Sequence, residues 1–242
     1  MGKSVFFFSD VHLGLHDRGR EKEKERRLLS FLSHVEECGE RLFIVGDLFD
    51  YWFEYQSVIP RGYHHVLSRL GMMAERGISI DYIAGNHDFW LRDFFPVDLG
   101  IPVHKDPLTV TLNGKKFLLH HGDGLATNDT GYRILKRILR NRVNILLYSL
   151  VHPDWTAPIA RGSSRTSREY TSSKDYGESD GMLKYAQDKI DSGYDVVVMG
   201  HRHVPSVTQH GKGVYVNLGD WVTHSTYAEF DGTTITVKDW TV

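Results

Sequence analysis

The sequence predicts an α/β fold in which a largely parallel sheet layer carries a functional site along one edge. Three observations predict it. Short apolar runs alternate with longer charged stretches of helical period through the first half of the chain, the pattern of βαβ units. Hairpin signals crowd the second half. Motifs bearing acids and histidines follow directly on the predicted strands, where open α/β sheets bind their ligands.

In chain order, residues 5–8 (Val-Phe-Phe-Phe) read as a buried strand, too short for a helix or a signal-peptide core and meeting Ser9-Asp10 at once. Residues 21–37 read as a helix with Leu28, Leu29, Phe31, Leu32 and Val35 on its inner side. Residues 42–45 form a second strand, 63–75 a helix and 78–84 a third strand. Residues 109–112 and 115–120 flank Asn113-Gly114, a pair suited to the positive φ of a primed hairpin turn. Residues 229–230 and 233–237 flank Asp231-Gly232 in the same way. Between the hairpins lie an insertion of about 129–175, a helix near 182–192 and a strand over 195–199. No repeat and no Pro/Gly/Ser linker divides the chain, so the reading is one domain over residues 1–242.

Composition narrows the function classes. Hydrophobic residues make up 40% and aromatics 12%, enough to bury a sizeable core and to exclude a disordered chain. Lys and Arg total 29 against 31 acids, so no global positive field draws in nucleic acid. No apolar run approaches the roughly 18 residues of a membrane span. The single cysteine, Cys38, cannot form an internal disulfide and fits a reducing compartment. The 14 histidines are the oddity, because histidine is the commonest metal ligand.

Position turns that oddity into a site. The strand ends are followed by Ser9-Asp10-Val11-His12, Gly46-Asp47-Leu48-Phe49-Asp50, Gly85-Asn86-His87-Asp88, His120-His121-Gly122-Asp123 and Gly200-His201-Arg202-His203. Any one of these alone reads more simply as an exposed loop or turn. Together, at successive strand ends, they gather carboxylate, imidazole and carboxamide donors suited to Mn, Fe or Zn rather than Ca or an all-sulfur zinc site. The glycines let the backbone turn sharply beside the donors.

The motif order D-x-H, G-D-x-x-D, G-N-H-[DE], H, G-H-x-H resembles the calcineurin-like metallophosphoesterase superfamily over nearly the whole chain. The resemblance implies a four-layer αββα metallophosphoesterase sandwich with a helical insertion cap, and a site for two divalent ions. Asp10, His12, Asp47 and His203 would hold one ion, and Asp47, Asn86, His121 and His201 the other, with Asp47 bridging. Two cations about 3.5–4 Å apart can clamp the attacking and leaving oxygens of a phosphoryl displacement. His120 competes with His121, but strand alternation sends the two to opposite faces and the family's H-G-D pattern matches His121. His87 would stand beside the phosphate as hydrogen-bond donor or general acid, with Asp88 fixing its tautomer. Asp50 and Asp123 read as structural or supporting groups.

The insertion bears on substrate. Over residues 133–151, Ile134, Leu135, Ile138, Leu139, Val143, Leu146, Leu147 and Leu150 recur at near-helical spacing among Arg133, Lys136, Arg137, Arg140 and Arg142. A basic amphipathic helix of this kind rests on an anionic membrane or closes over a greasy ligand; the plainer alternative is a helix packed on the core with a solvated basic face. Its place between the His121 and His201 motifs favours a substrate cap. The segments from His121 to Tyr132 and from Ser167 to Lys174 resemble those of the UDP-2,3-diacylglucosamine diphosphatase family, Mn-dependent hydrolases of lipid A biosynthesis that sit peripherally on the inner membrane.

That resemblance implies hydrolysis of a pyrophosphate bond in an amphiphilic nucleotide-sugar lipid, giving UMP and a lipid monophosphate. It implies two Mn ions, with Fe or Zn as alternatives, and substrate contacts from Asn86, His87, Asp129, Ser167, Thr171, Lys174 and His201. It also implies a cytoplasmic protein touching the inner membrane through residues 133–151, with no nucleic-acid partner. Two positions depart from the family: His87 stands where it has arginine, and Thr171 where it has asparagine. Arginine grips phosphate with two bonds and a permanent charge, whereas histidine offers one bond and a titratable proton. The departures keep open a metallophosphoesterase acting on a different lipid or nucleotide. A non-catalytic binding scaffold is the remote third reading, against which every expected ligand position is filled.

Overall fold

Alternation along the first strand sets up the layers of this computed structural model, which describes residues 3–125, 136–153, 155 and 181–241. In β1 (Ser4–Phe8), successive side chains point to opposite faces. Phe6 and Phe8 join Leu42 and Ile44 of β2 (Gly39–Val45) and Ile80 and Tyr82 of β3 (Ser79–Ile83). They pack against Leu28, Phe31, Leu32 and Val35 of α1 (Arg18–Cys38) and Val66, Leu70 and Met73 of α2 (His64–Glu75).

Val5, Phe7, Phe43 and Val45 face the other way, onto Phe117 and Leu119 of β6 (Lys115–His120) and Val196 and Val198 of β7 (Val196–Met199). Phe7 lies between Phe43 and Phe117, with ring centroids 5.1 and 5.9 Å away and planes within 11°. That stack ties the two sheets together. On the far side, Leu118, Val197 and Met199 are covered by Met182, Ala186 and Ile190 of a helix at Gly181–Asp191. Helix, sheet, sheet, helix is the sandwich the resemblance implied.

Both sheets are mixed. The first runs β11-β10-β1-β2-β3-β4, with β4 at Val103–His104, β10 at Thr226–Phe230 and β11 at Ile235–Asp239. The second runs β5-β6-β7-β9-β8, with β5 at Leu108–Leu112, β8 at Ser206–His210 and β9 at Gly213–Asn217. The central pairs β1–β2, β2–β3, β6–β7 and β7–β9 are parallel, and the outer hairpin strands are antiparallel. The parallel strands deliver their carboxyl ends, and the motifs that follow them, to one edge.

The sequence expectations hold for most elements and fail at identifiable places. Asn113 and Gly114 adopt φ of 45° and 80° between paired Leu112 and Lys115, as a primed turn requires. The Asp231-Gly232 hairpin instead pairs Phe230 with Ile235. The Asp231 carboxylate accepts from the backbone N–H of Thr233 and Thr234, both at 2.8 Å, drawing those residues into a four-residue loop. The β8–β9 hairpin and the two-residue β4 were not expected. The helix expected over 133–151 is broken: residues 136–139 are helical, and a new helix, α3 (Arg142–Ser149), starts after Asn141. Asn141 is extended and its side chain caps the new helix by accepting from Val143 N at 2.9 Å. Apart from 136–153 and 155, the insertion expected at about 129–175 lies outside the described residues. No helix among them is long and apolar enough to cross a membrane.

Candidate metal centre

The loops after β1 and β2 remain hydrogen-bonded beyond the strand ends. Asp10 N donates to Gly46 O at 3.1 Å, His12 N to Asp47 O at 3.0 Å and Leu13 N to Leu48 O at 2.9 Å. The two loops are thus held as one unit. Seven non-glycine residues among those described have positive φ, and five are expected ligands: Asp10 (54°), His12 (48°), Asp47 (54°), His201 (69°) and His203 (59°). Such φ values are uncommon outside glycine, and Asp and His are among the residues that adopt them most readily. Glycine is needed where ligands press on the chain: a Cβ on Gly46 would overlap the His121 ring, and one on Gly85 would overlap Asp47.

The side chains converge. Asp10 Oδ1 lies 3.3 Å from His203 Nε2 and 3.8 Å from His12 Nε2. Asp47 Oδ2 lies 3.7 Å from His12 Nε2 and 3.4 Å from His121 Nε2, so this one carboxylate stands between the two groups. Asn86 Oδ1 is 2.9 Å from His121 Nε2. His201 joins through its ring, 5.1 Å from that of His121, while its N–H donates to Asp10 Oδ2 at 2.9 Å. Three triads, Asp10/His12/His203, Asp10/Asp47/His121 and His12/Asp47/His87, each bring their ligand atoms within 4.8 Å of one another.

Oriented imidazoles complete the arrangement. His121 Nδ1–H donates to Val45 O at 3.0 Å, and His87 Nδ1–H to Asp50 O at 3.0 Å. His12 Nδ1 stands 3.5 Å from Asp50 Oδ1, and His203 Nδ1 3.5 Å from Asp220 Oδ2. Bonding the δ nitrogen, as at His121 and His87, fixes the ring and turns the ε nitrogen to the centre, the usual support for a histidine ligand; His12 Nδ1 is buried near Asp50 without a hydrogen bond. Asp10 Oδ1 is buried with no hydrogen-bond partner. An orphaned carboxylate oxygen among imidazole nitrogens is the environment a divalent cation satisfies, and the mixed N/O donor set fits one.

The charge states agree with that fit. Burial pulls His12 and His121 down, but the Asp10, Asp50 and Asp47 carboxylates around His12 and Asp47 beside His121 outweigh it. They raise His12 to about 9 and His121 to about 10. Burial opposes ionisation of Asp47 and Asp10, yet the neighbouring imidazoles hold both well below the carboxylate range. Burial, helped by the His121 charge, drives His201 down to about 4. Protons on His12 and His121 therefore balance the acids when no cation does.

Some expected roles change. Asp88 accepts from Gly85 N at 2.8 Å, from Phe49 N at 3.4 Å and from the Tyr82 hydroxyl. It therefore holds the Asn86-His87 turn, and the His87 tautomer is fixed by the Asp50 carbonyl instead. Burial and the Asp47 charge raise Asp88 to about 6. His120 turns away from the centre, as alternation required, accepting from Gly122 N at 2.9 Å. Asp123 is structural, paired with Lys136 at 2.6 Å and Arg140 at 3.5 Å. Asp220, from the turn after β9, stands behind His203.

The described part of the insertion is fastened beside these loops. Tyr148 stacks on Trp90 with centroids 5.1 Å apart, its hydroxyl lies 3.0 Å from that of Tyr51, and Trp90 Nε1 donates to Leu139 O at 3.2 Å. The apolar residues of α3 do not pack into the core: Val143, Leu146 and Leu147 are 62%, 62% and 57% exposed, and Leu150 beyond it 76%. Asp129, Ser167, Thr171 and Lys174 lie outside the described residues.

Residues 3–205 match the calcineurin-like phosphoesterase family. A protein from Porphyromonas gingivalis named UDP-2,3-diacylglucosamine hydrolase is 35% identical over 98% of both chains. One of the same name from Ectopseudomonas mendocina is 30% identical over 94% of both. Among solved structures, an archaeal phosphodiesterase is 16% identical, with a TM-score of 0.51 over 98% of this chain and 99% of that one, a likeness of fold.

Proposed function

The chain belongs to the calcineurin-like phosphoesterase family, and from that premise we propose that it hydrolyses the pyrophosphate bond of UDP-2,3-diacylglucosamine, giving UMP and a lipid monophosphate. The observation that carries this reading is the likeness, end to end, to hydrolases named for that substrate. The exposed apolar residues of α3 beside the centre support it, because an enzyme for small soluble substrates has no need of them.

In this reading Asp10, His12, Asp47 and His203 hold one Mn ion, and Asp47, Asn86, His121 and His201 the second. When bound, the pair supplies Lewis-acid stabilisation of charge developing on the phosphoryl oxygens. The chain's own residues do the rest. Asp47 draws the two groups of ligands together, and its Oδ1 also accepts from His87 N at 2.9 Å. His87 commits Nδ1–H to Asp50 O, and burial lowers its pKa, so its Nε2 faces the site unprotonated at rest. An incoming diphosphate raises that pKa and lets Nε2–H donate to the phosphate or the leaving oxygen. Asn86 and His201 contact substrate as well as metal, and Asp129, Ser167, Thr171 and Lys174 complete the contacts. The chain acts as one domain whose cap, about 129–175, shelters the acyl chains. Residues 133–151 touch the cytoplasmic face of the inner membrane.

One residue favours a second reading. His87 gives a single, titratable contact where the lipid A enzymes have arginine, which suits another lipid or nucleotide phosphoester. Incubating the protein with Mn²⁺ and UDP-2,3-diacylglucosamine and following UMP by mass spectrometry separates the two. UMP that disappears with chelator supports the first. Cleavage of a chromogenic phosphodiester without UMP supports the second, and no turnover of either leaves the scaffold reading.

A further inference from the structure

We propose that Lys24 and Glu21 of α1 are positioning residues, which clamp the loop after β1 so that His12 faces the metal centre. The inference rests on the two-cation reading above. Lys24 lies on the face of α1 that buries Leu28, Phe31, Leu32 and Val35, and it is itself only 1% exposed. An aliphatic residue would fill that place without desolvating an ammonium. What lysine adds is a donor: Nζ reaches His12 O at 2.6 Å and stands 2.9 Å from Glu21 Oε1. Glu21 in turn accepts from Gly14 N and His16 N, both at 2.8 Å. One turn of helix thus fastens the loop at residues 12, 14 and 16.

The clamp acts on a backbone that needs it. His12 has a φ of 48°, a conformation that histidine adopts more readily than most residues but at a cost that surrounding contacts must offset. On one side its N–H donates to Asp47 O at 3.0 Å. On the other its carbonyl accepts from Lys24 and, at 3.2 Å, from Leu15 N. Without the ammonium, nothing from α1 reaches that carbonyl, and relaxation of φ swings the imidazole away from Asp10 and Asp47. Of Asp47, Asn86 and His121, all carried by other loops, only Asp47 is bonded to the clamped loop, through its backbone carbonyl. The loss therefore falls on one ion of the two.

The test uses Mn²⁺ alone, titrated into chelator-treated full-length protein, with calorimetry for stoichiometry and electron paramagnetic resonance for the coupling of a dinuclear pair. Wild type takes up two ions with a coupled spectrum. Lys24→Met, close to lysine in volume, is expected to bind one ion normally and the other about ten- to a hundredfold more weakly. At one equivalent it should show an uncoupled signal, matching His12→Gln, with a melting temperature in chelator near that of wild type. If Lys24→Met does not fold, Glu21→Gln, on the partly exposed side of the pair, decides with the same signature. Two ions bound as tightly as in wild type overturns the proposal, and so does equal weakening of both. A wild type that takes up no Mn²⁺ overturns instead the two-cation reading on which it stands.

Discussion

His12 and His203 point their Nε2 atoms at each other across 3.3 Å, although 191 positions separate them in the chain. Two neutral imidazoles cannot both present lone pairs at that distance without repulsion. A proton between them, or a cation that both nitrogens face, removes it, and Asp10 Oδ1 stands 3.3 Å from the same His203 atom. Cation and proton therefore compete for one place.

That competition predicts proton release on metal loading. With His12 raised to about 9 and His121 to about 10, both are protonated in the metal-free protein at neutral pH, and ligation needs them neutral. Mn²⁺ affinity should rise from pH 6 to 9, with about one to two protons released near pH 7.5, read by calorimetry in buffers of different ionisation enthalpy. Stability follows the same sign. Groups raised in the folded state contribute fully below their unfolded value of about 6.5, and that contribution is lost as pH climbs through 9 to 10. The metal-free protein should lose melting temperature over that window, and the Mn-loaded protein much less. A pH-independent Mn²⁺ affinity would refute the scheme.

Asp47 Oδ2 stands between the two groups of candidate ligands, 3.7 Å from His12 Nε2 and 3.4 Å from His121 Nε2. Asp47→Ala should fold, lose hydrolysis by about a thousandfold or more, and bind Mn²⁺ with altered stoichiometry. It also removes the nearest charge that raises His121, so that imidazole should titrate lower in the metal-free variant, measurable by NMR. Full turnover in Asp47→Ala, or in thoroughly chelated wild type, excludes the two-metal mechanism.

His87 separates chemistry from metal holding. His87→Ala should lower kcat by about a hundredfold or more with two Mn ions retained. In His87→Gln the limb of the pH–rate profile belonging to the imidazole should vanish. If the profile of His87→Gln is that of wild type, proton donation by His87 is ruled out.

The exposed leucines of α3 carry the substrate claim. Truncating Leu146 and Leu147 to Ala removes about 1.5–3 kcal/mol of acyl-chain burial each, so kcat/KM on the diacylated substrate should fall more than about a hundredfold. A small chromogenic phosphodiester should be cleaved at nearly the original rate. Equal losses on both substrates would mean that these side chains serve packing, not the lipid.

How much of this was legible in the sequence depends on where a partner lies. The convergence of the donors was readable because each sits within a few residues of a short apolar run that reads as a buried strand, so strand ends and candidate ligands arrive together. The sandwich was readable from the alternation that sends Phe6 and Phe7 to different cores. Lys24 was not, since a lysine inside a charged helical stretch looks solvated until its carbonyl partner at His12 is seen. Asp220 was hidden because only the return of the chain after β9 brings it behind His203. The break at Asn141 and the loop at Asp231 share one cause: a short polar side chain bonded its own backbone and overrode a periodic pattern. The Asp88 partners, Gly85 N and the Tyr82 hydroxyl, follow from how the turn folds back on β3, which sequence spacing alone does not show.

The positive φ values shared by five ligand positions also leave a mark that selection can act upon. At Asp10, His12, Asp47, His201 and His203 the backbone would be more at ease with glycine. While the reaction is needed, each such change is eliminated by loss of the donor. Once the need lapses, the same change becomes conformationally favourable, and these sites should be among the first to decay. A descendant that kept the sandwich for some other purpose would be recognisable by glycines where its ancestor had acids and histidines.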